Sequence, residues 1–427
     1  MNILLKNTRL IDPGTGRDEI VDILIIGGII EKMKPQISAA AGIQVHDMRG
    51  RIAAPGFIDM HVHLREPGHE YKETIETGTL AAAAGGFTGV CCMPNTEPAI
   101  DDASVVGYIR DRAARANGGL VDVHPIAAAT KRREGMELSP MIELAEAGAC
   151  GFTDDGSPIC DSEIMRRALE YSKMTGKPVI QHAEDPSLTK GGAMNEGFVS
   201  TSIGMPPMPA VAEEVMISRD LRLVGYTGGQ YHVAHISTRG SIDLVRAAKK
   251  EGLRVTCEAT PHHFALTEEA VRSFNTNTKM NPPLRSSNDV EAVREGLRDG
   301  AIDAIATDHA PHSYDEKEVE FTRAPFGIVG LETAVGLALT ILVQEKILSM
   351  MTLIQKLSVN PRSILQLPQI RIAEGERANL TLIDEAAEWV VDVRQFRSRS
   401  RNSPFDGWKM RGRAIGIINN DRLHLLE

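Results

Sequence analysis

The sequence predicts an α/β protein: a (β/α)8 TIM barrel carrying a small β-sandwich domain built from both chain termini. Three observations predict it. Eight short apolar or small-residue runs recur through the middle of the chain, each ending in polar, chemically capable residues. Helix-patterned stretches separate these runs. The two chain ends share a different texture, short alternating runs divided by Gly and Pro. At 427 residues the chain suits one large barrel with an accessory domain. The boundaries read as 1–54 and 366–427 for the composite β-sandwich domain and 55–365 for the barrel.

Taken in order, NILLKNTRLID and VDILIIGGII open the chain as small antiparallel strands. The eight barrel runs are FIDMHVH, GVCCMPN, VDVHPIA, GACGFTDD, PVIQHAE, YHVAHIS, RVTCEATPHH and AIDAIATDHAP. Between them lie helical stretches such as ETIETGTLAAAAG, DSEIMRRALEYSKMTG, PAVAEEVMISRDLRLV and GSIDLVRAAKKEG. Asp161 offers an N-cap to the second, with an acidic residue in its first turn. The C-terminal segment returns to strand texture in ANLTLID, WVVD and GRAIGIINNDRLHLLE, where Asn419–Asn420–Asp421 reads as a hairpin turn. A doubly wound open sheet is the competing architecture, but it would not gather residues from all its strands into one site.

Composition narrows the function classes. A formal charge of -10 and the lack of a basic tract argue against a nucleic-acid partner. The start, MNILLKNTRL, has no long apolar core, and the longest apolar stretches, near 80–93 and 335–343, are broken by Gly or too short to span a bilayer. The five cysteines are odd in number, scattered and without a CxxC pair, so neither a disulfide framework nor a zinc knuckle is expected. The expected setting is a reducing cytoplasm, with no membrane association.

Barrel enzymes build their sites at the C-terminal ends of the strands. Here those ends carry His61 and His63, Asn95, Asp154 and Asp155, His182, His235, and Asp308 with His309. Alternate side chains of an extended strand share a face, which puts Asp59, His61, His63 and Arg65 on one side. Singly, each residue has an ordinary explanation; HxH is a weak motif and a lone strand-end His is usually just a satisfied polar group. Their common position is what points to a site. Imidazoles with carboxylates suit Zn2+, and six ligands exceed the needs of one tetrahedral ion, so two ions sharing a bridging ligand are expected. By the same alternation only one of Asp154 and Asp155 faces inward, and His309 faces away from Asp308.

Together FIDMHVHLREPG, MPNTEP, GFTDDGSP, QHAED, VAHIST, NPPLR and ATDHAPH resemble the motifs of the dihydroorotase family, in the type I branch of the amidohydrolase superfamily. The resemblance runs from PGFID to the C-terminal SRSRNSPFDGWKMRG segment. It implies that His61 and His63 bind the first metal, His182 and His235 the second, and that Asp155 bridges them. It implies that Asp308 binds the first metal and carries a proton as the catalytic residue. Many amidohydrolases bridge through a carboxylated Lys; here the only Lys near a strand end is Lys131, past the third.

The implied reaction is reversible, zinc-dependent interconversion of L-dihydroorotate and N-carbamoyl-L-aspartate in de novo pyrimidine biosynthesis. Dihydroorotate carries a ring carboxylate, and Arg65, beside His63, is a residue type that holds carboxylates with two parallel hydrogen bonds. By resemblance Asn95 and His312 complete that pocket, while Asn281 and the backbone at Phe326 and Gly327 hold the ring amide edges. The polar stretch HSYDEKEVEFTRAPFG is expected to cover the site. The resemblance also implies a homo-oligomer and association with aspartate transcarbamoylase. Two other readings compete: a hydantoinase, dihydropyrimidinase or allantoinase, and an inactive scaffold subunit. Arg65 and the Asp at the fourth run argue against the first, and the complete ligand set against the second.

Overall fold

Both ends of the chain enter a single eight-stranded sheet in the computed structural model, which describes residues 1–426. Its order places Arg422–Leu425, Lys409–Asn419 and Leu380–Val390 beside Ile52–Pro55, followed by Asn2–Asp12, Arg17–Ile26 and Ile29–Lys34. Gln44–Asp47 pairs with Asn2–Asp12 off this path. The join between the two ends is the antiparallel pairing of Leu380–Ile383 with Ile52–Pro55. Leu5, Leu10, Ile23, Leu380, Leu382 and Ile418 pack into one core beneath it. The predicted C-terminal hairpin forms: Asn420 and Asp421 take φ of 48° and 58°, the two left-handed positions of a tight two-residue turn.

The middle of the chain is mixed α/β. Phe57–Val62, Phe87–Cys92 and Asp122–Pro125 form one parallel sheet. Val179–Gln181, Tyr231–Val233, Val255–Ala259 and Ala304–Ile305 form another. The fourth run, GACGFTDD, forms no regular strand. It is still tied to both sheets: Phe152 bridges Ala127 and Val179, the Thr153 N–H donates to Ala127 O at 2.9 Å, and the Ile180 N–H donates to Phe152 O at 2.8 Å. Just past Thr153, the Asp154 carboxylate accepts the Thr130 N–H at 2.9 Å and the Thr130 hydroxyl. At the other end of the two sheets, Val62 bridges His309.

The helices follow the predicted stretches. Asp161 caps Ser162–Thr175 by accepting the N–H groups of Glu163 and Ile164 at 2.8 and 3.0 Å. Thr74 and Thr238 cap Ile75–Gly85 and Arg239–Lys250. Ile58, Met60, Cys91, Ile126, Ile180 and Ala234, drawn from strands of both sheets and the link between them, pack against one another. No helix among the described residues is long and apolar enough to cross a membrane. All five cysteines are free, and only Cys160 is exposed.

The first parallel strand departs from strict alternation. Its pairing register shifts between Asp59 and Val62, and the strand ends at Val62. The Asp59 carboxylate turns to the N–H groups of His61 and Thr307, both 3.1 Å away, and does not join the two histidines. Arg65 lies past the strand end at φ 62°, so a left-handed turn aims it, where alternation along one face was expected.

Candidate active site

Four imidazoles converge on two buried carboxylates. His61 Nε2 lies 3.4 Å from both Asp155 Oδ1 and Asp308 Oδ1. His63 Nε2 is 3.0 Å from Asp308 and 3.5 Å from Asp155. His235 Nε2 stands 3.6 Å from Asp155 and 3.0 Å from His182 Nδ1. Their ligand atoms fall into three mutually close triads: His61–His63–Asp155, His61–His235–Asp308 and Asp155–His182–His235. The predicted six residues are therefore brought together, and Asp155 belongs to two of the triads. Asp154 is turned away to Thr130, and exposed Lys131 pairs with Glu137 at 2.5 Å.

The electrostatics suit a cation. Burial opposes ionisation of Asp155 and Asp308, but the facing imidazoles hold both carboxyls well below the ordinary range. His61 Nε2 and Asp155 Oδ1, both aimed at the centre, are buried and have no hydrogen-bond partner among the described residues. Buried polar atoms without partners are costly, and a bound cation removes that cost at both at once.

A cavity of about 330 Å³ opens beside the cluster, lined by every predicted site residue except His61, which is fully buried. Arg65 is 9% exposed, and burial draws its guanidinium down to about 10 against the pull of Asp308 and Asp155. Its Nε donates to Pro311 O at 3.2 Å, and its Nη groups have no partner among the described residues. Two amides are fixed in orientation by neighbours. Asn95 Oδ1 is 2.8 Å from His63 Nδ1, which turns its Nδ2 toward Gly156 and the cavity. Asn281 Nδ2 donates to Glu184 at 2.6 Å, which leaves its carbonyl oxygen for the cavity. One wall thus offers donors and the other an acceptor.

His312 and Gly327 both line the cavity, and each also bonds within its wall. His312 Nε2 donates to Phe326 O at 2.9 Å, and burial pulls the imidazole down to about 3. It braces the wall through Phe326 while facing the cavity. The Gly327 N–H is taken by Lys279 O at 2.9 Å, so a ring contact there falls to carbonyl oxygens or the neighbouring peptide. His309 faces away, toward Glu73 and the Gly330 N–H.

A family profile described as Dihydro-orotase-like matches residues 50–241. The dihydroorotase of Geobacter metallireducens is 50% identical over 418 residues, 98% of each chain. That of Acetivibrio thermocellus is 49% identical over 425 residues, covering 100% of this chain and 99% of its own. The chain belongs to the dihydroorotase family. Among solved structures, the L-hydantoinase (dihydropyrimidinase) of Arthrobacter aurescens superposes with a TM-score of 0.88 at 23% identity, covering 100% of this chain and 97% of its own. A D-hydantoinase from Thermus sp. gives 0.81 at 25% identity over 99% of this chain and 95% of its own. These likenesses establish a shared mixed α/β amidohydrolase fold.

In this family member, two carboxylates that sequence reading passed over back the imidazoles. Glu258 Oε1 holds His61 Nδ1 at 2.7 Å, while its other oxygen lies 3.3 Å from His232. Burial works against its charge, but hydrogen bonds from His232 and His61 bring it down to about 2. Glu184 Oε2 stands 3.2 Å from His182 Nε2 and also fixes Asn281. A carboxylate on the outer nitrogen fixes which ring nitrogen keeps its lone pair, and so aims His61 Nε2 and His182 Nδ1 inward. A signal existed: Glu258 is an acid inside the apolar strand VTCEA, and a buried acid there needs a partner.

Proposed function

We propose that this chain is a zinc-dependent dihydroorotase, opening and closing the ring between L-dihydroorotate and N-carbamoyl-L-aspartate in de novo pyrimidine biosynthesis. The observation that carries this reading is Arg65, a buried guanidinium with free Nη groups at the edge of the imidazole–carboxylate cluster. A ring carrying its own carboxylate meets that cation, with Asn95 Nδ2 as a second donor. Unsubstituted dihydropyrimidines and hydantoins bring nothing to pair with it. The whole-length relatives named dihydroorotase support the same choice.

The residues fit two Zn2+ ions per chain. His61 and His63, both within 3.4 Å of Asp308, would hold the first with it, and His182 with His235 the second; Asp155, close to both sets, would be shared. Bound there, the ions would polarise the ring carbonyl and bring the pKa of a shared water toward neutrality. Asp308 is positioned to take the proton of the attacking water and return it to the ring nitrogen that leaves. Arg65 and Asn95 hold the carboxylate, while Asn281 Oδ1 and the Phe326–Gly327 peptide face the ring amide. His312, which lines the same cavity, completes the carboxylate pocket.

Further features extend this reading. The parallel pairings, with the bridges at Phe152 and between Val62 and His309, support a closed (β/α)8 barrel over 55–365 and a β-sandwich domain over 1–54 and 366–427. Burial of four of the five free thiols suits a reducing cytoplasm. A homo-oligomer and association with aspartate transcarbamoylase rest on the family resemblance.

Replacing Arg65 with Met tests the central assignment. The variant should raise KM for dihydroorotate by about tenfold or more, since the carboxylate loses a charged partner. An unchanged KM removes Arg65 from the substrate site.

A further inference from the structure

The segment SRSRNSPF, residues 398–405, is distant in sequence from every metal-cluster residue, yet it is bonded to the loops that form the cavity wall. Ser398 Oγ and the Arg399 N–H donate to Glu73, and Ser400 Oγ donates to Lys72 O at 2.7 Å. Asn402 reaches further. It is 4% exposed, and its Nδ2 donates to Ala310 O at 2.9 Å and to Gly327 O at 3.0 Å. Its Oδ1 accepts the His312 N–H at 3.1 Å, and its own carbonyl accepts the Val329 N–H at 3.0 Å.

One planar amide therefore joins two lips of the cavity. The first carries Ala310, Pro311 and His312; the second carries Phe326, Gly327 and Val329. The lips touch with no slack: a Cβ on Gly327 would stand 2.6 Å from Ala310 O and 2.7 Å from the His312 ring. The first lip also supplies Pro311 O, the acceptor for Arg65 Nε. The spacing of these lips thus decides where the guanidinium and the Phe326–Gly327 peptide sit relative to a bound ring.

We propose that Asn402 is a positioning residue for substrate reading: its amide sets the gap between the 310–312 and 326–329 lips and so fixes the anchor of Arg65. The inference rests on the dihydroorotase reading of the cavity. Only an amide has two donors and an acceptor in one plane at this reach. Asp keeps the acceptor but sets a carboxylate against two carbonyl oxygens. Asn402 touches no proposed metal ligand, so its role separates from metal loading.

The test measures KM, kcat, zinc per chain and melting temperature for Asn402→Asp, with Ser398→Ala as a control in the same segment that touches neither lip. Asn402→Asp should raise KM for dihydroorotate by about tenfold, with kcat falling less than KM rises and zinc content unchanged. Ser398→Ala should leave KM within about twofold of wild type even where it lowers the melting temperature. If Asn402→Asp yields no folded protein, Asn402→Ser, too short to span both lips, is read the same way. An Asn402 variant whose KM rises no more than that of Ser398→Ala overturns the inference. Wild-type protein that opens dihydrouracil but not dihydroorotate would sink the functional reading alone. The same KM comparison made on dihydrouracil then tests Asn402 through the Phe326–Gly327 lip.

Discussion

A carboxylate inside an apolar strand is tolerated only where hydrogen bonds to the charged form outweigh its desolvation, and Glu258 meets that condition through His61 and His232. Glu258→Gln should keep the fold but weaken zinc binding by about 10- to 100-fold, as loss of a ligand's outer partner generally does. Competition against a chelator measures this; equal affinity would mean His61 is oriented by something else. At this scale the metal-facing residues were legible, because His61, His63, His182, His235 and Asp308 all end apolar runs. Their backing carboxylates were not. Glu258 was hidden by a strand pattern, and Glu184 stood unassigned beside His182 in the QHAED motif. Asn95 was read for its bond to substrate, and its bond to His63 Nδ1 adds that it also aims a ligand.

Elements follow the same division. Caps and turns with local causes were readable: Asp161 as an N-cap and the Asn419–Asp421 turn both form as their residue types require. The fourth run, expected as a strand for its small apolar residues, keeps backbone bonds to both neighbours without becoming a regular strand, and Asp154 beyond it turns to Thr130. Arg65 was placed by alternation, whereas a register shift and a left-handed turn place it. The polar stretch after Asp308 was expected to cover the site, and it holds a feature that composition does not reveal. Lys317 donates to Thr276 O and Pro325 O at 3.0 and 2.8 Å, and burial, helped by nearby Lys279, draws its amine down to about 7. An unfolded Lys keeps its proton to about pH 10, so the opened segment binds more protons than the closed one between these values. Stability of the 313–326 segment should therefore rise as pH increases from about 7 to about 10. Hydrogen exchange corrected for intrinsic rates reads this directly, and protection that falls over that range would contradict it.

Across the whole molecule, the strand-textured ends and the alternating middle were visible in sequence because each has its own hydrophobic period. Which strands meet was not, since the pairing of Ile52–Pro55 with Leu380–Ile383 joins residues over three hundred positions apart. The support that the C-terminal segment gives the cavity wall is equally non-local, and it appears only once Asn402 is seen between the two lips. One buried imidazole–carboxylate cluster and one carboxylate-reading Arg together define the proposed chemistry. Its most direct test is ring opening of dihydroorotate and of dihydrouracil by protein whose zinc content has been measured, before and after chelation. Turnover of dihydroorotate should rise with bound zinc and be lost on chelation, with little or no turnover of dihydrouracil. Zinc-loaded protein that opens dihydrouracil and leaves dihydroorotate intact would contradict it.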